Sequence, residues 1–148
     1  MTIDFDAKGK RRKRYTDRAE SFETERTVWL ATPLTSTSWD GDARSTTAKT
    51  KIDLSAVFSA PAAIRAVYCR LLARDSGSAA STTAFVGLDA SNGSYHQLGV
   101  WPAGKANDTY AEGSGWVTCN ADGDIYYQIS ASGAGTMDVY LQIWGYMW

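Results

Sequence analysis

Histidine occurs once, cysteine twice and proline three times in 148 residues, and each scarcity removes a class of explanation. With His96 as the single imidazole, a Ser–His–Asp or Cys–His arrangement has one candidate base, and no nucleophile elbow accompanies it. His96 reads as an exposed or hydrogen-bonded strand residue. Cys69 and Cys119 are too few for a disulfide framework or, with one histidine, for a zinc or other transition-metal site. They read as small buried apolar residues, and contact between them is left open. No apolar run approaches the ~20 residues that cross a bilayer. The charged first 25 residues lack the apolar core of a signal peptide. The expectation is a soluble, non-enzymatic domain with no cofactor, no metal and no membrane partner.

Hydrophobic residues make up 44% of the chain and aromatics 12%, with six tryptophans, enough for one domain with a buried core. The net charge of −1 hides an uneven distribution. Residues 1–26 carry eight basic and six acidic side chains, and the remaining 122 carry seven and ten. Lys8, Lys10, Arg11, Arg12, Lys13 and Arg14 fill six of seven consecutive positions. Ile3, Phe5, Tyr15 and Phe22 stand isolated among charges, so this segment does not bury enough surface to offset its own ordering. Asp17 and Glu20 form a weak capping box for a turn or two of helix. Residues 1–26 therefore read as an arm that orders against a neighbour. A polybasic run also fits phosphates, an anionic membrane or a solvated tail. The absence of interleaved aromatics and the following Asp17, Glu20, Glu23 and Glu25 favour a protein of mixed surface and make nucleic acid the weaker reading.

From Thr27 onward, short apolar stretches alternate with turn residues such as Asn92-Gly93, Asp122-Gly123 and Ser132-Gly-Ala-Gly135. Strands are expected at 27–32, 48–54, 64–74, 83–89, 95–101, 115–120, 125–132 and 136–144, a spacing typical of an all-β sandwich or barrel. Residues 125–132 and 136–144 read as the clearest hairpin. Ile125, Tyr127, Ile129, Ala131, Met137, Val139, Leu141 and Ile143 alternate toward a core, with Tyr126, Gln128, Ser130, Asp138, Tyr140, Gln142 and Trp144 facing outward. In residues 64–74, Ile64, Val67, Tyr68, Leu71 and Leu72 match a helical template, yet the β surroundings favour a strand buried on both faces. Eight antiparallel strands in two sheets point to a jelly-roll-like β-sandwich over 27–148 behind the arm.

Asp40-Gly-Asp42 and Asn120-Ala-Asp122-Gly-Asp124 place oxygen donors at alternate positions, as calcium requires, but neither follows the EF-hand pattern, and Asp-Gly is a common turn pair. The turn reading is preferred. The aromatics carry more information. Trp101, Trp116, Trp144, Tyr146 and Trp148 end strands or the chain. The apolar close Ile143-Trp-Gly-Tyr-Met-Trp148 calls for cover. Tyr140, Trp144, Tyr146 and Trp148 are the expected subunit-interface residues, while Trp101 and Trp116 are candidates for stacking on sugar faces.

Ile52-Asp-Leu-Ser-Ala-Val-Phe-Ser-Ala-Pro-Ala-Ala-Ile-Arg-Ala-Val-Tyr68, running into Leu71-Leu-Ala-Arg-Asp-Ser-Gly77, resembles the opening of small β-structured domains in tailed-bacteriophage virion proteins. Val139-Tyr-Leu-Gln-Ile-Trp-Gly-Tyr146 resembles their terminal strand. The resemblance spans about residues 52–146 and carries no catalytic residues. It implies a jelly roll or related sandwich, often trimeric, hung on a capsid or tail through an N-terminal segment. In place of a long fibrous shaft this chain has a short charged arm, so a capsid decoration, cement or tail-attachment role is expected over a self-sufficient fibre. The arm residues Lys8, Lys10, Arg11, Arg12, Lys13, Arg14, Tyr15 and Phe22 would then dock on capsid, portal, adaptor or tail proteins. The location implied is the virion, the assembly a homotrimer, and the alternative function a carbohydrate-binding module, such as the head of a short tail fibre, recognising host surface glycans.

Overall fold

The computed structural model describes residues 26–36, 38–39, 41–42, 48–93 and 95–148. Its elements are β1 (Thr27–Leu34), β2 (Thr50–Ile52), α1 (Leu54–Phe58), β3 (Ala66–Asp75), β4 (Phe85–Asp89), β5 (Leu98–Val100), β6 (Ala111–Thr118), β7 (Ile125–Ser130) and β8 (Met137–Met147). Two four-stranded antiparallel sheets result, in the orders β1-β8-β3-β6 and β2-β7-β4-β5. The pairs β1–β8, β2–β7, β3–β6 and β4–β5 are the successive rungs of one long hairpin whose tip is the loop after β4. Rolling that hairpin adds the β3–β8 and β4–β7 pairs. This is an eight-stranded jelly roll. The residues expected as the arm, apart from Arg26, lie outside the described residues.

Residues 66–75 form the strand with the longest pairing, hydrogen-bonded to β6 on one side and β8 on the other. Val67, Cys69, Leu71 and Ala73 are fully buried between the sheets. The helical spacing in this segment arises because Tyr68 and Leu72 add apolar groups on the opposite face, and backbone pairing on both edges overrides local pattern. The core is completed by Ile52, Val86, Leu88, Val100, Val117, Ile125, Ile129 and the inner row of β8. Trp39 closes one opening of the sandwich, edge-on to Tyr127 at 5.2 Å and tilted on Phe58 at 6.0 Å.

The expected hairpin of 125–132 with 136–144 does not form. Its two arms lie in opposite sheets, β7 between β2 and β4, β8 between β1 and β3. Their facing nevertheless agrees with the alternation, since Ile125, Tyr127, Ile129, Met137, Val139, Leu141 and Ile143 are all buried. Period-two patterning reports which face is buried and not which strand is the neighbour. The connection between the two arms crosses the sandwich and is pinned by Asp75, which is fully buried. The Asp75 carboxylate accepts from the N–H groups of Gly77 and Ser132, each at 2.8 Å, from Thr136 Oγ1 at 3.1 Å and from the Ser132 hydroxyl.

The acidic turn before β7 is likewise structural. Asn120 Oδ1 accepts from the N–H groups of Asp122 and Asp124 at 3.0 and 2.9 Å. The Asp124 carboxylate is engaged by Leu54 N–H at 3.1 Å and by Lys51 at 3.0 Å. Helix α1 thus hangs from this turn and is capped by Asp53, whose Oδ1 accepts from Ala56 N–H at 2.9 Å.

Candidate binding face

Alternation along the strands divides the β1-β8-β3-β6 sheet into a buried face and an outward one. Its outward face collects Trp29 from β1, Tyr68 from β3 and Trp116 from β6. Trp29 lies 5.0 Å from Tyr68 and 5.5 Å from Trp116, and Tyr68 lies 5.5 Å from Trp116, all steeply inclined to one another. These strands are not consecutive neighbours: β8 runs between β1 and β3, and at that rung it carries Gly145, paired with both Trp29 and Tyr68. A Cβ at 145 would stand 2.9 Å from Val28 O and 3.1 Å from the Trp29 ring. The glycine is what lets Trp29 lie across β8 to reach Tyr68. Trp29 remains 60% exposed.

Further along the same face, Arg70 grips Glu112 through two hydrogen bonds of 2.6 and 3.0 Å. The bond to Glu112 raises the Arg70 pKa, and the same bond lowers that of Glu112. Arg74 holds Asp138 at 2.5 Å, and its guanidinium sits 5.2 Å over the Tyr110 ring. Tyr110 in turn lies 6.0 Å from Tyr140, whose hydroxyl pKa is raised by its hydrogen bond to Tyr110. The two tyrosines are 42% and 49% exposed. The face therefore has an aromatic triad toward the Thr27–Met147 rung and a tyrosine pair toward the opposite end, separated by a bidentate ion pair.

Of the residues singled out from sequence, Tyr140, Trp144 and Trp116 are on this outward face. β8 is irregular where Cys69 pairs with Ile143 and Tyr68 with Gly145. Trp144 is the extra residue of that bulge, and its indole N–H donates to Gln142 Oε1 at 3.2 Å. The bulge reverses the parity of the last residues of β8, so Tyr146 packs against the core. Trp148 stands edge-on to Tyr146 at 5.8 Å, and its backbone N–H donates to Arg26 O at 3.3 Å. Trp101 is elsewhere. It follows β5 and covers Gly99 on the outward face of the other sheet, so Trp101 and Trp116 do not form one site. The arm residues Lys8, Lys10, Arg11, Arg12, Lys13, Arg14, Tyr15 and Phe22 lie outside the described residues. Trp29, Tyr68 and Tyr110 join this face without a signal in the sequence that marks them as surface-site residues. Their shared face follows from strand order, which period-two patterning does not contain.

Beside the second sheet, the segment after β4 is tied down through Lys49. Lys49, almost fully buried, donates to Asp89 Oδ2 at 2.7 Å, to Ser91 O at 3.4 Å and to Tyr95 O. His96 lies over Gly87 and 5.3 Å from Phe85. Rather than a strand residue it precedes β5, half-buried, with no hydrogen-bond partner at Nδ1. Burial first, then the Lys49 charge, lowers its pKa, so the ring is neutral at physiological pH. Cys69 pairs with Gly115, whereas Cys119 bonds to Arg65 four residues further along the ladder, too far for a disulfide. Both thiols are free. Burial pushes the Cys69 pKa up and that of Cys119 up to about 12, so neither is a thiolate at neutral pH. Among the described residues no group of three His, Cys, Asp or Glu is placed to hold a metal, and no helix is long and apolar enough to cross a membrane. No family model matches the chain, and no curated protein matches it in sequence.

Proposed function

We propose that this chain is a non-enzymatic structural protein of a bacteriophage particle, a capsid decoration, cement or tail-attached subunit. Its arm docks on another virion protein, and its jelly roll associates with sister copies, as a homotrimer. The observation that carries the reading is the Tyr110–Tyr140 end of the outward sheet face. Two half-exposed tyrosines, one capped by Arg74, form a flat amphipathic patch of the composition enriched in subunit contacts. Trp144 lies four residues further along the same strand, at the other end of the face. The Trp148–Arg26 bond supports the anchoring role of residues 1–26, because it fixes the root of the arm beside the last strand. The short charged arm and the resemblance to phage accessory domains supply the context.

The arm is tested by deleting residues 2–20. The truncated chain is expected to keep the β-rich circular dichroism and melting temperature of the full chain, and to be absent from purified particles. Incorporation at the normal copy number would overturn the proposal.

A further inference from the structure

Going beyond assembly, we infer that Lys49 and His96 form an acid-sensitive latch that holds the connection from β4 to β5 against the second sheet. Lys49 is the holding group. Its side chain is 3% exposed and donates to Asp89 Oδ2 at 2.7 Å, to Ser91 O at 3.4 Å and to Tyr95 O. One ammonium thus gathers the end of β4 and two points of the connection. His96 follows Tyr95 directly and seats the same stretch. Its ring lies over Gly87 of β4, where a Cβ would stand 2.4 Å from the imidazole, and 5.3 Å from Phe85. Gln97 then rejoins the sheet, its N–H donating to Leu88 O at 2.8 Å.

Protonation of the imidazole works against this seat on two counts. Nδ1 is buried and has no hydrogen-bond partner among the described residues. The neutral ring can carry its proton on Nε2, whereas the imidazolium carries one on both nitrogens and leaves a buried N–H without an acceptor. The second count is charge. The charged groups acting on the ring are Lys49, before β2, and Asp89, at the end of β4, and these two are already paired with each other. β5 contributes Leu98, Gly99 and Val100, with no charge. The outward positions of β7 and β2 hold Tyr126, Gln128, Ser130 and Lys51, whose ammonium is taken by Asp124. An imidazolium would be the second cation beside a single carboxylate. Burial first, then the Lys49 charge, outweigh Asp89 and hold the ring neutral in the fold. The seat is therefore complete above the ordinary imidazole value of 6.5 and is lost as pH falls through the folded value, which lies below it. Turning the ring out to water relieves both costs and lifts the connection from Gly87 and Phe85.

His96 is the single histidine, so its imidazole signal in NMR is unambiguous. The test follows the full-length chain from about pH 7.5 to about pH 5, a range that stays above the ordinary carboxylate values. The ring is expected to titrate below its ordinary value. Protection of the Gln97 N–H against hydrogen exchange, corrected for the intrinsic rate, is expected to fall several-fold as it does so. Protection of the Leu71 N–H, in the doubly paired β3, should stay constant, which marks the opening as local. His96→Gln, which removes the titrating group, should keep Gln97 protected across the whole range. Lys49→Met should leave Gln97 weakly protected at both ends of it, with a melting curve to verify that each variant folds. A ring that titrates at or above 6.5, Gln97 protection that ignores pH, or an equal fall in His96→Gln would each overturn the inference. So would a parallel loss at Leu71, which would make the opening global, or full protection of Gln97 in a folded Lys49→Met.

Discussion

A carboxylate buried to completion is costly unless every oxygen is satisfied, and Asp75 shows how this fold meets that demand. Burial raises its pKa, but the donors from Ser132, Gly77 and Thr136 outweigh burial and leave it lowered overall. These donors belong to the turn after β3 and to the β7–β8 crossover, so one side chain ties two connections. Asp75→Ala would strand Ser132 and Gly77 N–H groups, and a loss of about 3 kcal/mol is expected in urea unfolding. Because the folded pKa is depressed, the contribution is complete above the ordinary value of 3.8 and is lost as pH falls through the folded value. The stability gap between wild type and Asp75→Asn should therefore be constant from neutral pH down to about that ordinary value and narrow below it. A gap unchanged at pH 3 would mean that the carboxylate's charge contributes nothing.

Gly145 makes a different residue-level demand, for space. Its two closest neighbours are backbone and an indole ring. Gly145→Val is expected to lower the melting temperature and to shift the tryptophan emission, as Trp29 is displaced from Tyr68. An unchanged emission spectrum would show that Trp29 does not depend on the glycine for its position.

At the scale of elements, β3 and β1 differ in how much they carry. β3 is paired on both sides and Leu71 is fully buried. β1 pairs on one side only among the described strands, with an irregular register after Trp29. Leu71→Ala is expected to cost about 3 kcal/mol, and Leu34→Ala, at the half-buried end of β1, less than half of that. Equal costs in chemical denaturation would contradict this hierarchy. The same contrast explains what was legible beforehand. Residues 125–131 and 137–143 show strict alternation, so their buried rows could be written down from sequence. Turn residues marked the eight strands to within a few positions. The neighbours of each strand could not be read, because Ser132-Gly-Ala-Gly135 has the composition of a hairpin turn and instead spans two sheets. The bulge at Trp144 was equally silent, and it decides that Gly145 faces outward and Tyr146 inward. Helix α1 is five residues long, too short for a periodic signal, and it is held by a contact distant in sequence, Leu54 N–H to Asp124.

For the whole molecule, the rolled hairpin brings distant parts of the sequence onto one face. Trp29, Tyr68, Tyr110, Trp116, Tyr140 and Trp144 come from four strands or their ends, and strand order alone makes them neighbours. Along β3 the tyrosine pair lies four residues from the triad, roughly 13 Å. If the tyrosine end is the contact between copies, Tyr110→Ser combined with Tyr140→Ser should convert the trimer expected in sedimentation equilibrium into a monomer. Both side chains lie on the outward face, so the melting temperature of the monomeric variant should stay close to that of wild type extrapolated to low concentration, as linkage between folding and association requires. A wild type that sediments as a monomer at micromolar concentration would remove the tyrosine end as an assembly surface.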